Sequence, residues 1–402
     1  MLNTIDLFAG CGGLTDGFKL TGKYHLLAAV EWENAPLMSL RNRLEKKWNY
    51  KDVENTIIHF DIQRTDELIF GFKNDPTYGS FQGLANLINS KKVDVIIGGP
   101  PCQAYSVAGR VRDKNGMRDD YRNYLFESYI KVVKYFQPMA CVFENVVGML
   151  SATPDGTPII DRITKAFNEA GYIISSNIKE QAVFDVSDFG LPQKRQRVII
   201  VAFNKKLIKN SEQKINEFYE NLNKYKQINK KSVDDAISDL PPIYPLAKAE
   251  KKVSHQVSNH NLLITDHIPR FHNARDIKVF NMLAEDIEIG KNEYVSTKAL
   301  QAVYESVTGK KSNIHKYHVL RRNLPSNTIP AHLYKDGLRH IHPDPKQARS
   351  ITVREAARLQ SFSDDFEFLG SMGAKYKMIG NAVPPEFAKK IALALNETLQ
   401  GI

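Results

Sequence analysis

The chain has 402 residues, 42% hydrophobic and 25% charged, and its 55 Lys and Arg against 45 Asp and Glu leave a formal net charge of +10. That length provides for one large domain with an insertion or for two domains, and the positive surplus favours a polyanionic partner. No apolar run approaches the ~18 residues that cross a bilayer, no signal peptide opens the chain, and three scattered cysteines without a CxxC argue against a disulfide framework and a structural zinc; a cytoplasmic protein is expected.

Short apolar, β-branched runs alternate with helical patterns through the first 200 residues, which predicts a parallel sheet with helices on both faces. The expected strands are Thr4–Phe8, Leu26–Glu31, Thr56–Phe60, Val93–Gly98, Ala140–Glu144 and Arg197–Phe203, with helices over Tyr121–Tyr135 and Pro158–Ala170, the latter closed by Gly171. Directly after the first strand, Phe8-Ala-Gly-Cys-Gly-Gly13 supplies the small residues of a sharp turn that a ligand can approach closely. Glu31 stands 21 residues beyond Gly10 at a strand end, where nucleotide-binding sheets place a carboxylate on ribose hydroxyls. Trp32 beside it suits the face of an adenine, and Asp61-Ile62 suits its exocyclic amine; turn glycines and solvated acids are the plain alternative. The spacing is GxGGxxxG rather than GxGxxG, which tilts away from a nicotinamide cofactor.

Asp94-Val-Ile-Ile-Gly-Gly-Pro-Pro-Cys-Gln103 is the sharpest local feature. A buried strand ends in two glycines, and two prolines then present Cys102 at the sheet's C-terminal edge, the position of a nucleophile. Cys11 and Cys141 read instead as packing residues. Glu144 closes a later apolar strand at the same edge, where desolvation raises a carboxyl's pKa and suits it to donate a proton. Gln193-Lys-Arg-Gln-Arg197 sets Arg195 and Arg197 on one strand face, able to clamp a phosphate or a base carbonyl. Between these motifs, Ser106–Tyr121 is punctuated by Gly109 and Gly116 and carries Arg110, Arg112, Lys114 and Arg118, as in a mobile basic loop.

After Phe203 the texture changes. Asn204–Lys252 is rich in Lys, Asn and Glu, its lysines suit phosphate contacts, and nine of the 11 histidines fall between His255 and His342. Thr352 and Glu355 then make a capping box opening a helix through Leu359, and a last helix follows Pro384-Pro385 with Phe387, Ile391 and Leu395 on one face. With no cysteine nearby, His340-Ile-His342 and His315-x-x-His318 make poor zinc sites, so no metal is expected.

In this order the motifs resemble the C5-cytosine DNA methyltransferase family of bacterial restriction–modification type: DLFAGCGG (6–13), VEWEN (30–34), FDI (60–62), GGPPCQ (98–103), RNYLF (122–126), FENV (143–146), QKRQR (193–197), RSITVREAARLQSF (349–362) and GNAVP (380–384). The resemblance spans nearly the whole chain. It implies an α/β, Rossmann-like S-adenosylmethionine-dependent catalytic domain over residues 1–203 plus 371–402, with a smaller target-recognition domain inserted over 204–370. It places Phe8, Gly10, Gly12, Gly13, Glu31, Trp32, Asp61, Ile62, Pro100, Leu125, Asn381 and Val383 around S-adenosylmethionine, with S-adenosylhomocysteine as product. Cys102, Glu144, Arg195 and Arg197 would be catalytic, and Gln103, Ser106, Arg110 and Arg112 would meet DNA. Members often carry Gln shortly before the GN pair, whereas Lys377-Met378-Ile379 precedes it here. Arg270, Arg275, Arg321, Arg322, His315 and His318 are candidates for base or phosphate contacts.

The expected reaction is attack of the Cys102 thiolate on C6 of a flipped cytosine, with proton transfer at N3 by Glu144, in double-stranded DNA. The same chemistry on tRNA is disfavoured by the roughly 165-residue middle segment. A catalytically silent DNA-binding module is disfavoured by the intact Cys102, Glu144 and glycine turn, and methylation of an exocyclic amine by Gly-Pro-Pro-Cys. A motif beginning at residue 6 leads us to expect no N-terminal regulatory domain; one flipped base needs one active site, so a monomer is expected, and the resemblance implies pairing with a restriction endonuclease.

Overall fold

The computed structural model describes residues 1–101, 124–154, 156–258, 264–312, 317–335 and 337–400. The chain forms two compact units, the first of residues 1–189, 195–228 and 382–402, the second of residues 190–194 and 229–381.

Ten strands belong to the first unit: β1 (Leu2–Leu7), β2 (Tyr24–Glu31), β3 (Ile57–His59), β4 (Phe72–Asp75), β5 (Gly79–Phe81), β6 (Val95–Gly98), β7 (Ala140–Val146), β8 (Tyr172–Ile173), β9 (Val183–Asp185) and β10 (Gln196–Asn204). The main sheet runs β3-β2-β1-β6-β7-β10-β8, with β9 also on β10, while β4 and β5 form a separate hairpin. The six expected strands are all present, with ends moved by no more than two residues. The expected parallel sheet is found over five strands, and β10 is where it departs from parallel. β3, β2, β1, β6 and β7 are parallel, but β10 is antiparallel to β7, β8 and β9. A strand buried on both faces reads as one apolar run whichever way it points, so the sequence pattern reports burial and not direction.

Helices cover the sheet. Helix Leu125–Phe136 begins later than expected, residues 121–123 lying outside the described residues. Helix Ile159–Glu169 ends before Gly171, whose φ of +91° takes the left-handed turn that glycine tolerates. In the last helix, Pro385–Leu399, Pro385 fills the first turn and Phe387, Ile391 and Leu395 are completely buried. Gly17 on helix Gly13–Leu20 lets this helix close in, because a Cβ there would fall 2.4 Å from Ala388 Cβ.

The first unit continues to residue 228 rather than stopping at 203, because Ser211–Asn223 is a helix. Ile215, Phe218, Tyr219 and Leu222 form its buried stripe. The Tyr219 hydroxyl donates to the Ile199 carbonyl on β10 (3.0 Å), and Asn221 Nδ2 donates to Thr398 Oγ1 (3.1 Å).

The second unit has its own core. Phe280 and Leu283 from helix Ala274–Glu288, Leu300 and Val303 from helix Thr297–Thr308, and Tyr317, Val319 and Ile341 pack together. A hairpin of β11 (Ile243–Glu250) and β12 (Val253–Val257) belongs to it. The capping box is present, Thr352 accepting from the Glu355 N–H and Glu355 from the Thr352 N–H, at the start of helix Val353–Leu359. Glu355 also receives Arg349 through two 2.7 Å bonds, both side chains being 1% exposed. Residues 371–381, expected with the catalytic domain, group here instead. Gly380 explains part of this: a Cβ would lie 2.4 Å from the Pro330 carbonyl carbon, so its helix lies directly on that segment. Among the described residues no helix is long and apolar enough to cross a membrane.

Candidate cofactor and base site

The turn after β1 is built from backbone that side chains rarely adopt. Phe8, Gly10 and Gly12 have φ of +62°, +58° and +93°, a region costly for a residue with a Cβ. Gly13 opens the following helix with no room for a side chain, since its Cβ would lie 2.2 Å from the Val383 carbonyl oxygen. Glu31, at the end of β2, ties that turn in place. Its Oε2 accepts from the Gly10 N–H (2.8 Å), and its Oε1 accepts from the N–H groups of Trp32 (2.9 Å) and Glu33 (2.7 Å). Burial pushes the Glu31 carboxyl up to about 7, against the pull of those N–H groups.

Trp32 beside it is 48% exposed, which leaves its ring open to solvent. Asp61 is half-buried and accepts from the Gln63 N–H (3.0 Å), while Ile62, Pro100, Leu125 and Val383 are buried. Asn381 is exposed at the end of helix Met372–Asn381 in the second unit, where Met378 is buried. The structure therefore joins Gly10 to Glu31 and Gly13 to Val383 by direct contact.

At the next strand ends Glu144 and the arginines meet. Glu144 lies on β7 and is 8% exposed. Burial raises its carboxyl pKa, while Arg197 and Arg195 draw it back. Arg197 Nε contacts Glu144 Oε1 at 2.8 Å. Arg195 precedes β10 rather than lying within it, is 1% exposed, and donates through Nη2 to the Ala382 carbonyl (3.0 Å). Its burial, with the Arg197 charge nearby, lowers its guanidinium pKa well below the ordinary value. Gly99 is pressed against the same carboxylate: a Cβ on it would stand 2.6 Å from Glu144 Oε2. Cys102 follows three residues later, within about 11 Å of extended chain. Cys102 itself, with Gln103, Ser106, Arg110 and Arg112, lies outside the described residues, as does His315. Cys11 and Cys141 are buried, as packing residues should be.

Sequence reasoning passed over two buried acids. Asp6 on β1 is completely buried and receives Thr15 Oγ1 on Oδ2 (2.5 Å), and burial pushes its carboxyl up to about 7. Asp16 accepts from Arg43 Nε (2.8 Å) and from Trp48 Nε1 (2.8 Å). Asp6 stands out in the sequence as the carboxylate of the first apolar strand; nothing local marks the partners of Asp16.

The profile of the C-5 cytosine-specific DNA methylase family matches residues 2–397. The chain belongs to that family. It is 33% identical over 454 aligned positions to the Type II methyltransferase M.Bpa9945I of Bacillus paralicheniformis, covering 99% of both chains. Among solved structures it resembles a candidate DNA modification methyltransferase encoded within a prophage (E. coli), at 25% identity and TM-score 0.60 over 99% of each chain. The S. pombe Dnmt2 methyltransferase shares the fold, with TM-score 0.56 over all of both chains at 14% identity. A C5-cytosine DNA methyltransferase with a mixed, mainly parallel sheet is thus the frame in which the Glu144–Arg197 pair and the glycine turn stand.

Proposed function

We propose that this C5-cytosine methyltransferase methylates a flipped cytosine within a short sequence of double-stranded DNA through a covalent bond between Cys102 and C6. The observation that carries this reading is the Glu144 carboxyl, buried, paired with Arg197 and lying under Gly99, three residues before Cys102. Cytosine C5 is a poor nucleophile in an intact aromatic ring. Addition of the Cys102 thiolate to C6 makes C5 an enamine carbon, and Glu144 protonates N3 as the ring takes up the electron pair. Arg197 holds the Glu144 carboxyl, and Arg195 with Arg197 steadies the base carbonyl and neighbouring backbone. S-adenosylmethionine supplies the methyl group and leaves as S-adenosylhomocysteine. Loss of the C5 proton to a base, expulsion of the Cys102 thiolate from C6 and return of the N3 proton to Glu144 then restore the aromatic ring.

The residues present fit that cofactor. Positive-φ backbone at Phe8, Gly10 and Gly12, with Gly13, lets a ligand lie against the turn; Glu31 suits the ribose hydroxyls, and Trp32, Asp61 and Ile62 suit the adenine. Pro100, Leu125 and Val383 of the first unit complete the proposed pocket there, and Asn381 is assigned to the cofactor by family resemblance alone. Gln103, Ser106, Arg110 and Arg112 belong to the segment we assign to DNA, and the second unit to target recognition. The type II names of the relatives support pairing with a restriction endonuclease.

Bisulfite sequencing tests the reading in a host lacking cytosine-5 methylation, expressing the chain or its Cys102→Ala variant. Protection of cytosines in one short context, seen only with the intact chain, is expected, together with resistance to a nuclease cutting that context. Equal protection by Cys102→Ala would remove the nucleophile. No protection by either would remove DNA as the substrate and turn attention to host tRNA.

A further inference from the structure

Between β3 and β6 the chain makes an excursion that the cofactor reading leaves unused. The β4–β5 hairpin leaves through Gly71 and returns through Gly83, at φ of +99° and +88°. A Cβ on Gly83 would lie 2.5 Å from the Gly71 nitrogen, so the two ends of the hairpin are pinched together. Asp75 fixes its turn: Oδ1 accepts from the N–H groups of Thr77 (2.9 Å) and Tyr78 (2.8 Å), and Oδ2 receives Arg64 Nη1 (2.6 Å). The Arg64 guanidinium lies 4.9 Å from the Phe60 ring centre and 5.9 Å from that of Tyr78, and Phe72 stacks on Phe60 at 4.5 Å.

These contacts carry Tyr78 back to the strand end that bears Asp61. Its ring lies 5.0 Å from Phe60 and edge-on to His59 at 5.3 Å, and His59 Nε2 is 2.9 Å from the Trp32 carbonyl oxygen. The Asp61 charge adds to partial burial in raising the Tyr78 hydroxyl pKa, so the two groups sense one another. Tyr78 is thus half-buried and clamped, yet among the described residues its hydroxyl has no hydrogen-bond partner. A clamped aromatic with a solvent-facing hydroxyl beside Asp61 is placed to bond a ligand held there.

We propose that Tyr78 is a cofactor-binding residue that completes the adenine end of the site, its hydroxyl bonding the amino-bearing edge of the purine beside Asp61. This rests on the reading of Trp32 and Asp61 as adenine-binding. The test is equilibrium binding of S-adenosylhomocysteine and of its purine-riboside analogue, which carries hydrogen in place of the amino group and offers the hydroxyl no partner there, to the full chain and its Tyr78→Phe variant. Phenylalanine keeps the ring contacts with His59, Phe60 and Arg64, and an unchanged melting temperature checks this. Loss of one neutral hydrogen bond weakens S-adenosylhomocysteine binding by about 3- to 10-fold in Tyr78→Phe and narrows its preference over the purine-riboside analogue. Equal weakening of both ligands, or no change in either, overturns the assignment of Tyr78 while leaving the cofactor reading intact. Failure of the unaltered chain to bind S-adenosylhomocysteine removes both together.

Discussion

Asp6 and Glu31, on the adjacent strands β1 and β2, are carboxyls that burial pushes up to about 7, and the Glu31 charge adds to the rise at Asp6. In the unfolded chain Asp6 titrates near 3.8, so between about pH 4 and pH 7 the unfolded state releases a proton that the folded state keeps. Stability from this group is therefore full below about pH 4 and is lost as pH rises through 7. Asp6→Asn removes that loss. Its stability relative to the parent, measured by urea unfolding, rises by roughly 2 kcal/mol from pH 5 to pH 8; a gap independent of pH would show that Asp6 is ionised throughout. Glu144 titrates in the same sense, its pKa raised by burial. Methylation at saturating substrates should fall as pH rises through that raised value, and Glu144→Gln should lower turnover by about 100-fold or more while DNA affinity holds. Gly13 makes a steric prediction. Its missing Cβ would meet a backbone oxygen at 2.2 Å, and that oxygen cannot swing aside as a side chain would. Gly13→Ala should weaken S-adenosylhomocysteine binding more than it lowers the melting temperature, whereas Gly22→Ala, which meets nothing within 4 Å, should leave binding unchanged.

The elements differ in how much of them the sequence disclosed. Strands buried on both faces were legible because most residues of β1, β6 and β7 are buried and apolar, and helices Val353–Leu359 and Pro385–Leu399 were legible through their capping box and prolines. The direction of β10 was not, for its partners are chosen by how the chain returns and not by its composition. Helix Ser211–Asn223 was hidden for another reason. Its buried stripe is regular, but Lys, Asn and Glu fill the other faces and give the segment the look of a linker. β8 and β9, of two and three residues, are too short to show any period. Around Glu144 the sequence indicated a desolvated carboxyl, and burial does raise it; its hold on Arg197 and its closeness to Gly99 came only from the register of β7 against β10 and β6. In the second unit the capping residue has a further duty. Glu355 is the counter-charge of the buried Arg349, which draws its carboxyl pKa well below the ordinary range. Glu355→Gln strands a buried guanidinium and should cost about 3–5 kcal/mol in calorimetric unfolding of the full chain; a loss under 1 kcal/mol would mean that water reaches Arg349.

For the molecule as a whole, the net charge of +10 bears on encounter with DNA rather than on fold. If four phosphates are neutralised, affinity for duplex should drop by roughly 100-fold between 50 and 200 mM salt, and a flat salt response would separate the positive surplus from binding. The two compact units divide at residues 228 and 381, and residues 190–194 group with the second unit although both flanks belong to the first. Gln193 shows what those five residues bring. Completely buried, it donates to the Leu359 carbonyl (3.1 Å) and Gln360 Oε1 (2.7 Å) and accepts from the Ile329 N–H (2.9 Å). The second unit is thus not one continuous cassette. A transplant of residues 229–381 into a relative would arrive without its own glutamine and depend on the host to supply one at the matching place. Inheritance of a new sequence preference by exchange of a single gene segment is therefore restricted to donors and hosts that already agree at a residue far outside the segment exchanged.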